Sequence, residues 1–280
     1  MAIIDLHVHL PLPEWLEGCL GSYLESAERY FHRKATARPI EELAAEYERL
    51  DMVGVLLGWD AETLTGRPPL PNELVAGIVR RFPDRFVGFG SVDPHRPDAT
   101  ELVRRLPDVG LIGLKLHPTM QGFDPASDAA MRVFESAAEA RLAVITHAGT
   151  SGLGAGRPGG QGLRIDFARP ILLDRAAAAF PEVPIVLAHV GWPWHLEALA
   201  MALHKANVLI DISGWRYRYL PPEVLRDMKG RLSDQFLFGT DVPMFSPSDL
   251  LEEFAALQLP EEVAAKILWH NANRLLGLKS

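Results

Sequence analysis

Apolar positions along this chain follow two alternating patterns. Eight short runs rich in Val, Ile, Leu and Phe lie near residues 2–9, 53–60, 85–93, 110–118, 142–149, 185–191, 207–213 and 236–242, each bounded by turn-forming residues. Runs of this length and composition predict strands, and their nearly continuous hydrophobicity predicts strands covered on both faces. Between them, apolar residues recur at helical spacing, as in 40–50, 72–82, 126–140, 167–180 and 194–206, and a last amphipathic stretch covers 261–278. Strand and helix alternating in this way predict an α/β fold, a single (β/α)8 TIM barrel. No Pro-, Ser- or charge-rich linker and no short repeat divides the chain, so residues 1–280 are expected to form one domain.

Three connections exceed the few residues usual between such elements. The first, 10–38, carries Trp15, Tyr23, Tyr30 and Phe31; the second, 149–164, holds seven glycines with Arg157 and Arg164; the third, 214–219, carries Trp215, Arg216, Tyr217, Arg218 and Tyr219. In a barrel all three lie on the C-terminal face, where active sites are built, and they predict a lid over a pocket.

Composition narrows the classes of partner. A formal net charge of -8 and the absence of basic runs argue against a nucleic-acid groove or an anionic membrane surface, which leaves a small-molecule substrate as the expectation. No apolar stretch approaches the ~20 residues of a membrane span, and the first residues enter a strand without a basic leader, so a cytoplasmic location is expected. The single cysteine, Cys19, excludes an internal disulfide and a Cys-based zinc site, and is expected to pack in the core.

The candidate chemistry lies at the ends of the predicted strands. His7 and His9 close the first run as His-x-His, and side chains two apart on a strand share a face, so both imidazoles converge. His147, His189 and Asp241 close the fifth, sixth and eighth runs in the same way. Each is expected at the last or nearly last position of its strand, so the five would ring one mouth of the barrel. Neutral imidazoles with one carboxylate suit one divalent metal ion, zinc first, with manganese and iron as alternatives. Three or four protein ligands leave a position for water, whose pKa on such an ion falls to about 7. Asp241 either ligates the ion or takes the proton from that water. His189 either completes the coordination sphere or faces the open position, hydrogen-bonded to the water or to a substrate oxygen.

Taken with Gly113-Leu114-Lys115-Leu116-His117-Pro118, Ala188-His189-Val190-Gly191, Phe238-Gly239-Thr240-Asp241 and Asn271-Ala272-Asn273-Arg274-Leu275-Leu276-Gly277, this set resembles the amidohydrolase superfamily, in its "amidohydrolase 2" branch, over nearly the whole chain. The resemblance implies a (β/α)8 barrel with a catalytic divalent ion, and either hydrolysis or non-oxidative decarboxylation of aromatic or related acids. Dimers occur among those decarboxylases, so the resemblance leaves a homodimer open, and the sequence itself decides neither for nor against one. Hydrolases of aryl β-ketoacyl-CoA belong to the branch, and the Gly-rich 149–164 segment with Gly191-Trp192-Pro193-Trp194 is similar to them. Binuclear members carry a carboxylated lysine at the end of strand four. Lys115 lies on that run, but His117 follows nearer the mouth. Three readings of Lys115 stay open: a buried polar cluster in which Lys115, Asp5 and Asp211 satisfy one another, a substrate contact, and a carbamate bridging two ions. A mononuclear site is expected.

Substrate contacts are expected from Lys115, His117, Trp192, Arg157 and Arg216. Trp192, close to His189, would wall a pocket for an aromatic ring, and Arg157 and Arg216 would meet a carboxylate or phosphate. The leading expectation is a metal-dependent hydrolase in which metal-bound hydroxide attacks a carbonyl of a small aromatic or acyl substrate, with Asp241 and His189 as its catalytic groups. The alternative is a metal-dependent non-oxidative decarboxylase of an aromatic or related carboxylic acid, and the remote third is a catalytically inactive binding barrel.

Overall fold

In the computed structural model, which describes residues 2–278, eight parallel strands follow one another in sequence order, each hydrogen-bonded to the next. They are β1 Ile3–His9, β2 Met52–Leu57, β3 Phe86–Ser91, β4 Gly113–Leu116, β5 Ala143–Thr146, β6 Ile185–Leu187, β7 Val208–Asp211 and β8 Phe236–Leu237. The residues around β8 meet β1: Leu6 N–H donates to the Phe238 carbonyl at 3.0 Å, Asp241 N–H to that of His7 at 2.8 Å, and His9 N–H to that of Val242 at 2.9 Å. The result is the (β/α)8 barrel that the periodicity predicts.

Alternation along the strands divides the core in two. Ile4 and Leu6, Val55 and Leu57, Phe89, Ala143 and Ile145, Val186, Leu209 and Leu237 form the barrel interior, closed below by Trp269, Leu275 and Leu276. Their strand neighbours, such as Leu56, Leu114, Leu116, Val144, Ile185, Leu187, Val208, Ile210 and Phe236, join a larger cluster against the surrounding helices. Both strand faces are therefore dry, which is why these runs read as continuous hydrophobic segments.

Several expected boundaries move. The stretch 167–180 is broken into 3₁₀ turns Ile165–Ala168 and Pro170–Leu173 before a helix Asp174–Ala179, because Pro170 has no N–H to continue a helix. The first long connection is not irregular: it forms a π-helical turn, Glu14–Leu20, and a helix, Ser22–Phe31. Cys19 packs inside that connection, and burial pushes its thiol up to about 12. No helix among the described residues is long and apolar enough to cross a membrane.

Candidate active site

A slip in β1 decides where its histidines point. Ile4 and Leu6 face the barrel interior, and Asp5 faces out, its carboxylate accepting the Tyr47 hydroxyl of helix Ile40–Arg49 at 2.5 Å. Unbroken alternation would put His7 and His9 on the Asp5 side. Instead the β1–β2 register shifts between Asp5 and Val8, and Val8 joins the outer cluster. This bulge turns both imidazoles into the mouth, with ring centroids 5.1 Å apart.

The remaining residues arrive from beyond strand ends. His147 follows β5 directly, its N–H bonded to the Leu116 carbonyl at 2.9 Å. His189 and Asp241 are not strand residues, contrary to the expected boundaries. β6 stops at Leu187 and β8 at Leu237, since His189 (φ 58°), Val190 (φ 52°) and Asp241 (φ 70°) are left-handed. A non-glycine residue there is strained by roughly 1–2 kcal/mol and needs outside support. Asp241 N–H has the His7 carbonyl, and the His189 carbonyl accepts Trp215 Nε1–H at 3.2 Å.

Asp211 and the Ser213 carbonyl each set one ring state. Asp211 accepts His7 Nδ1–H at 2.7 Å, Ser213 Oγ–H at 2.7 Å and Ser213 N–H at 2.7 Å. His189 Nδ1 lies 3.1 Å from the Ser213 carbonyl oxygen, which can only accept, so Nδ1 carries the proton. Both rings therefore turn an unprotonated Nε2 toward the pocket. His117 is fixed the other way: Met120 N–H donates to its Nδ1 at 3.3 Å, which leaves Nε2–H as a donor. His117 stacks on His147 with centroids 3.8 Å apart and planes 9° apart.

The ligand atoms of His7, His9 and Asp241 all lie within 4.8 Å of one another, so these three could hold a metal ion. Asp241 Oδ1 is 3.6 Å from Nε2 of each histidine, and its carboxylate accepts no hydrogen bond from any described donor. His147 Nε2 is likewise buried without a partner. Unpaired buried polar atoms are costly, and a cation relieves a carboxylate and an imidazole lone pair together, so the donor set fits one. Burial first, then nearby positive groups, holds His7, His9 and His147 well below the ordinary imidazole value, so their lone pairs are free at neutral pH. Burial pushes Asp241 well up; a divalent ion beside it would reverse that direction.

Lys115 does not form the expected cluster with Asp5 and Asp211. Asp5 is already filled by Tyr47, by Thr240 Oγ1 at 2.5 Å and N–H at 2.8 Å, and by His7 N–H at 3.1 Å, while Asp211 is filled as above. Lys115 Nζ donates to His7 Nε2 at 3.2 Å instead. Burial, opposed by Asp241 and Asp211, brings its ammonium down to about 8.

A pocket enclosing about 640 Å³, open mouth included, is lined by His9, His147, His189, Asp241, Lys115 and His117. Trp192, Arg157 and Arg216 lie outside this lining. Trp192 follows three left-handed residues, His189, Val190 and Gly191, that swing it outward, where it is 37% exposed and packs edge-on against Trp215, which takes its place in the wall. Arg157 is engaged by Glu25 on the first connection, and Arg216 by Glu253 at 2.6 Å and Asp249 at 3.5 Å. Of the rest of the wall, Trp15, Tyr30, Phe31, Leu153 and Trp215 come from the three long connections expected to form a lid, whereas Trp59 and Met244 lie outside every expected site. Trp15 stacks on His9 at 4.5 Å with planes 7° apart. The aromatic content of 10–38 was the available signal for Trp15, Tyr30 and Phe31; nothing in the sequence singled out Trp59 or Met244.

Among solved structures, the chain is similar to an uncharacterised TIM-barrel protein from Bordetella bronchiseptica (23% identity, TM-score 0.83, 99% of each chain covered). It is also similar to a 5-carboxyvanillate decarboxylase from Novosphingobium aromaticivorans with bound manganese (18%, TM-score 0.71, covering 99% of this chain and 97% of that one). A third is a probable 2-pyrone-4,6-dicarboxylic acid hydrolase from Acinetobacter baumannii (17%, TM-score 0.64, 99% and 100%). At these identities the likeness establishes the fold. Comparison with curated proteins gave no match. The model of one family, described as amidohydrolase, matches residues 4–278.

Proposed function

We propose, from the premise that this chain belongs to the amidohydrolase family, that it is a metal-dependent hydrolase of a small carbonyl-bearing substrate. The observation that carries this reading is the state of His189. Its Nδ1–H is committed to the Ser213 carbonyl, its Nε2 has no described protein partner, and burial brings its pKa down to about 4. A neutral ring with a free lone pair in a pocket is placed to accept a proton from water.

In this reading His7 Nε2, His9 Nε2 and Asp241, joined by His147 Nε2, would hold one divalent ion, zinc first and manganese second. When bound, such an ion supplies Lewis acidity, polarising a carbonyl oxygen and acidifying water. The chain's own groups do the rest. Asp211 and Ser213 keep His7 and His189 in the tautomers that present Nε2, and His189 Nε2 accepts the proton of the attacking water. His117 Nε2–H is placed to donate to a substrate oxygen. Lys115 Nζ, which donates to His7 Nε2 at 3.2 Å, would turn to an anionic oxygen of the substrate if that lone pair were taken up by an ion.

Decarboxylation is the second reading, favoured by the aromatic walls and by the manganese-bound decarboxylase among the similar structures. Turnover of aryl esters, lactones and β-diketones in oxygen-18 water by the metal-loaded protein separates the two. Label in the product supports hydrolysis; release of CO₂ from an aromatic acid, with no label gained, overturns it.

A further inference from the structure

The pocket has two unlike ends. Lys115 and Asp241 are the only Asp, Glu, Lys or Arg side chains lining it among the described residues, and both are buried at the strand ends. Tyr30, 39% exposed, marks the opposite end, where half-buried Phe31, Leu153 and Trp215 complete an apolar rim. The arginines of the neighbouring loops are spent elsewhere. Arg157 is held by Glu25, Arg164 by Asp166 at 2.5 Å, and Arg216 and Arg218 by Glu253, at 2.6 and 3.9 Å.

The Gly-rich loop is seated so that it keeps this rim apolar. Gly154 N–H donates to Ser26 Oγ at 2.7 Å, and a Cβ on Gly152 would stand 2.9 Å from Phe31 and 3.1 Å from Tyr30. The loop thus packs flush on helix Ser22–Phe31 through its small residues, with Arg157 paired to Glu25 of that helix. A carboxylate seated against this rim would lose part of its water and meet no cation of the pocket lining.

We propose that the substrate is a flat compound with its reacting carbonyl and its one anionic group at the pocket floor and an uncharged, apolar far end, and that the rim rejects a second carboxylate or a phosphate. This rests on the hydrolase reading only in placing the reacting end at the ion.

The test is calorimetric binding to the metal-loaded full chain of 4-ethylbenzoate and benzene-1,4-dicarboxylate, which share the floor carboxylate and differ at the far end. The expected result is at least about tenfold weaker binding of the dicarboxylate. Tyr30→Arg, at a half-exposed helix position that tolerates the change, should reverse the order by supplying the missing cation. Equal or tighter binding of the dicarboxylate by the unaltered protein overturns the proposal, as does failure of both probes to bind. Neither result bears on oxygen-18 incorporation, so the proposal and the hydrolase reading fail separately.

Discussion

Asp211 and Asp241 are buried in the same barrel mouth, yet one is surrounded by donors and the other has none. Asp211 accepts three hydrogen bonds at 2.7 Å, whereas Asp241 has only two imidazole nitrogens at 3.6 Å. Asp5, on the outer side of β1, repeats the first pattern with Tyr47 and Thr240. A buried carboxylate filled by protein donors holds the scaffold in one arrangement; one left unfilled among imidazole lone pairs could take a cation. Burial alone does not tell the two roles apart, and hydrogen-bond satisfaction does.

Substitutions that break this contrast should have graded effects. Asp241→Ala is expected to reduce bound divalent metal from about one equivalent to background without unfolding the barrel, since no described donor loses its partner. Elemental analysis with circular dichroism on the same sample checks this. Gly214→Ala attacks the His189 side: the added Cβ would lie 2.5 Å from His189 Nδ1, at a backbone φ of 72°. The ring must move, so kcat/KM should fall on the order of 10²-fold with metal content retained. Asp211→Asn should weaken metal affinity by about 10- to 100-fold, read by chelator competition, because His7 loses the carboxylate that fixes its tautomer. Tyr47→Phe, on the scaffold side, should cost about 1.5–3 kcal/mol in urea unfolding and leave metal content unchanged.

The barrel was legible because its determinants are local. Apolar runs of strand length between amphipathic segments specify both the elements and, through buried parallel pairing, their closure. The histidines and aspartate could be found because each stands near a strand end. What carries them into one pocket was not visible. The bulge between Asp5 and Val8 follows from pairing with β2, and the left-handed turns at His189 and Asp241 are held by Trp215 and by the His7 carbonyl, all distant in sequence. The arginines misled for the same reason. Arg157 and Arg216 lie in the right loops, but their partners Glu25 and Glu253 come from other segments that only the fold brings near. Trp192 stands close to His189 along the chain, but the intervening turn gives its place in the wall to Trp215.

The presence of an ion among His7, His9 and Asp241 is best tested by elemental mass spectrometry of the purified chain, prepared without added metal and then with zinc or manganese supplied, beside Asp241→Ala. About one equivalent of a divalent metal in the parent protein, absent from the variant, is the predicted result. Equal metal in both, or none above background in the parent even after addition, would contradict a metal centre at this site and with it the hydrolase reading.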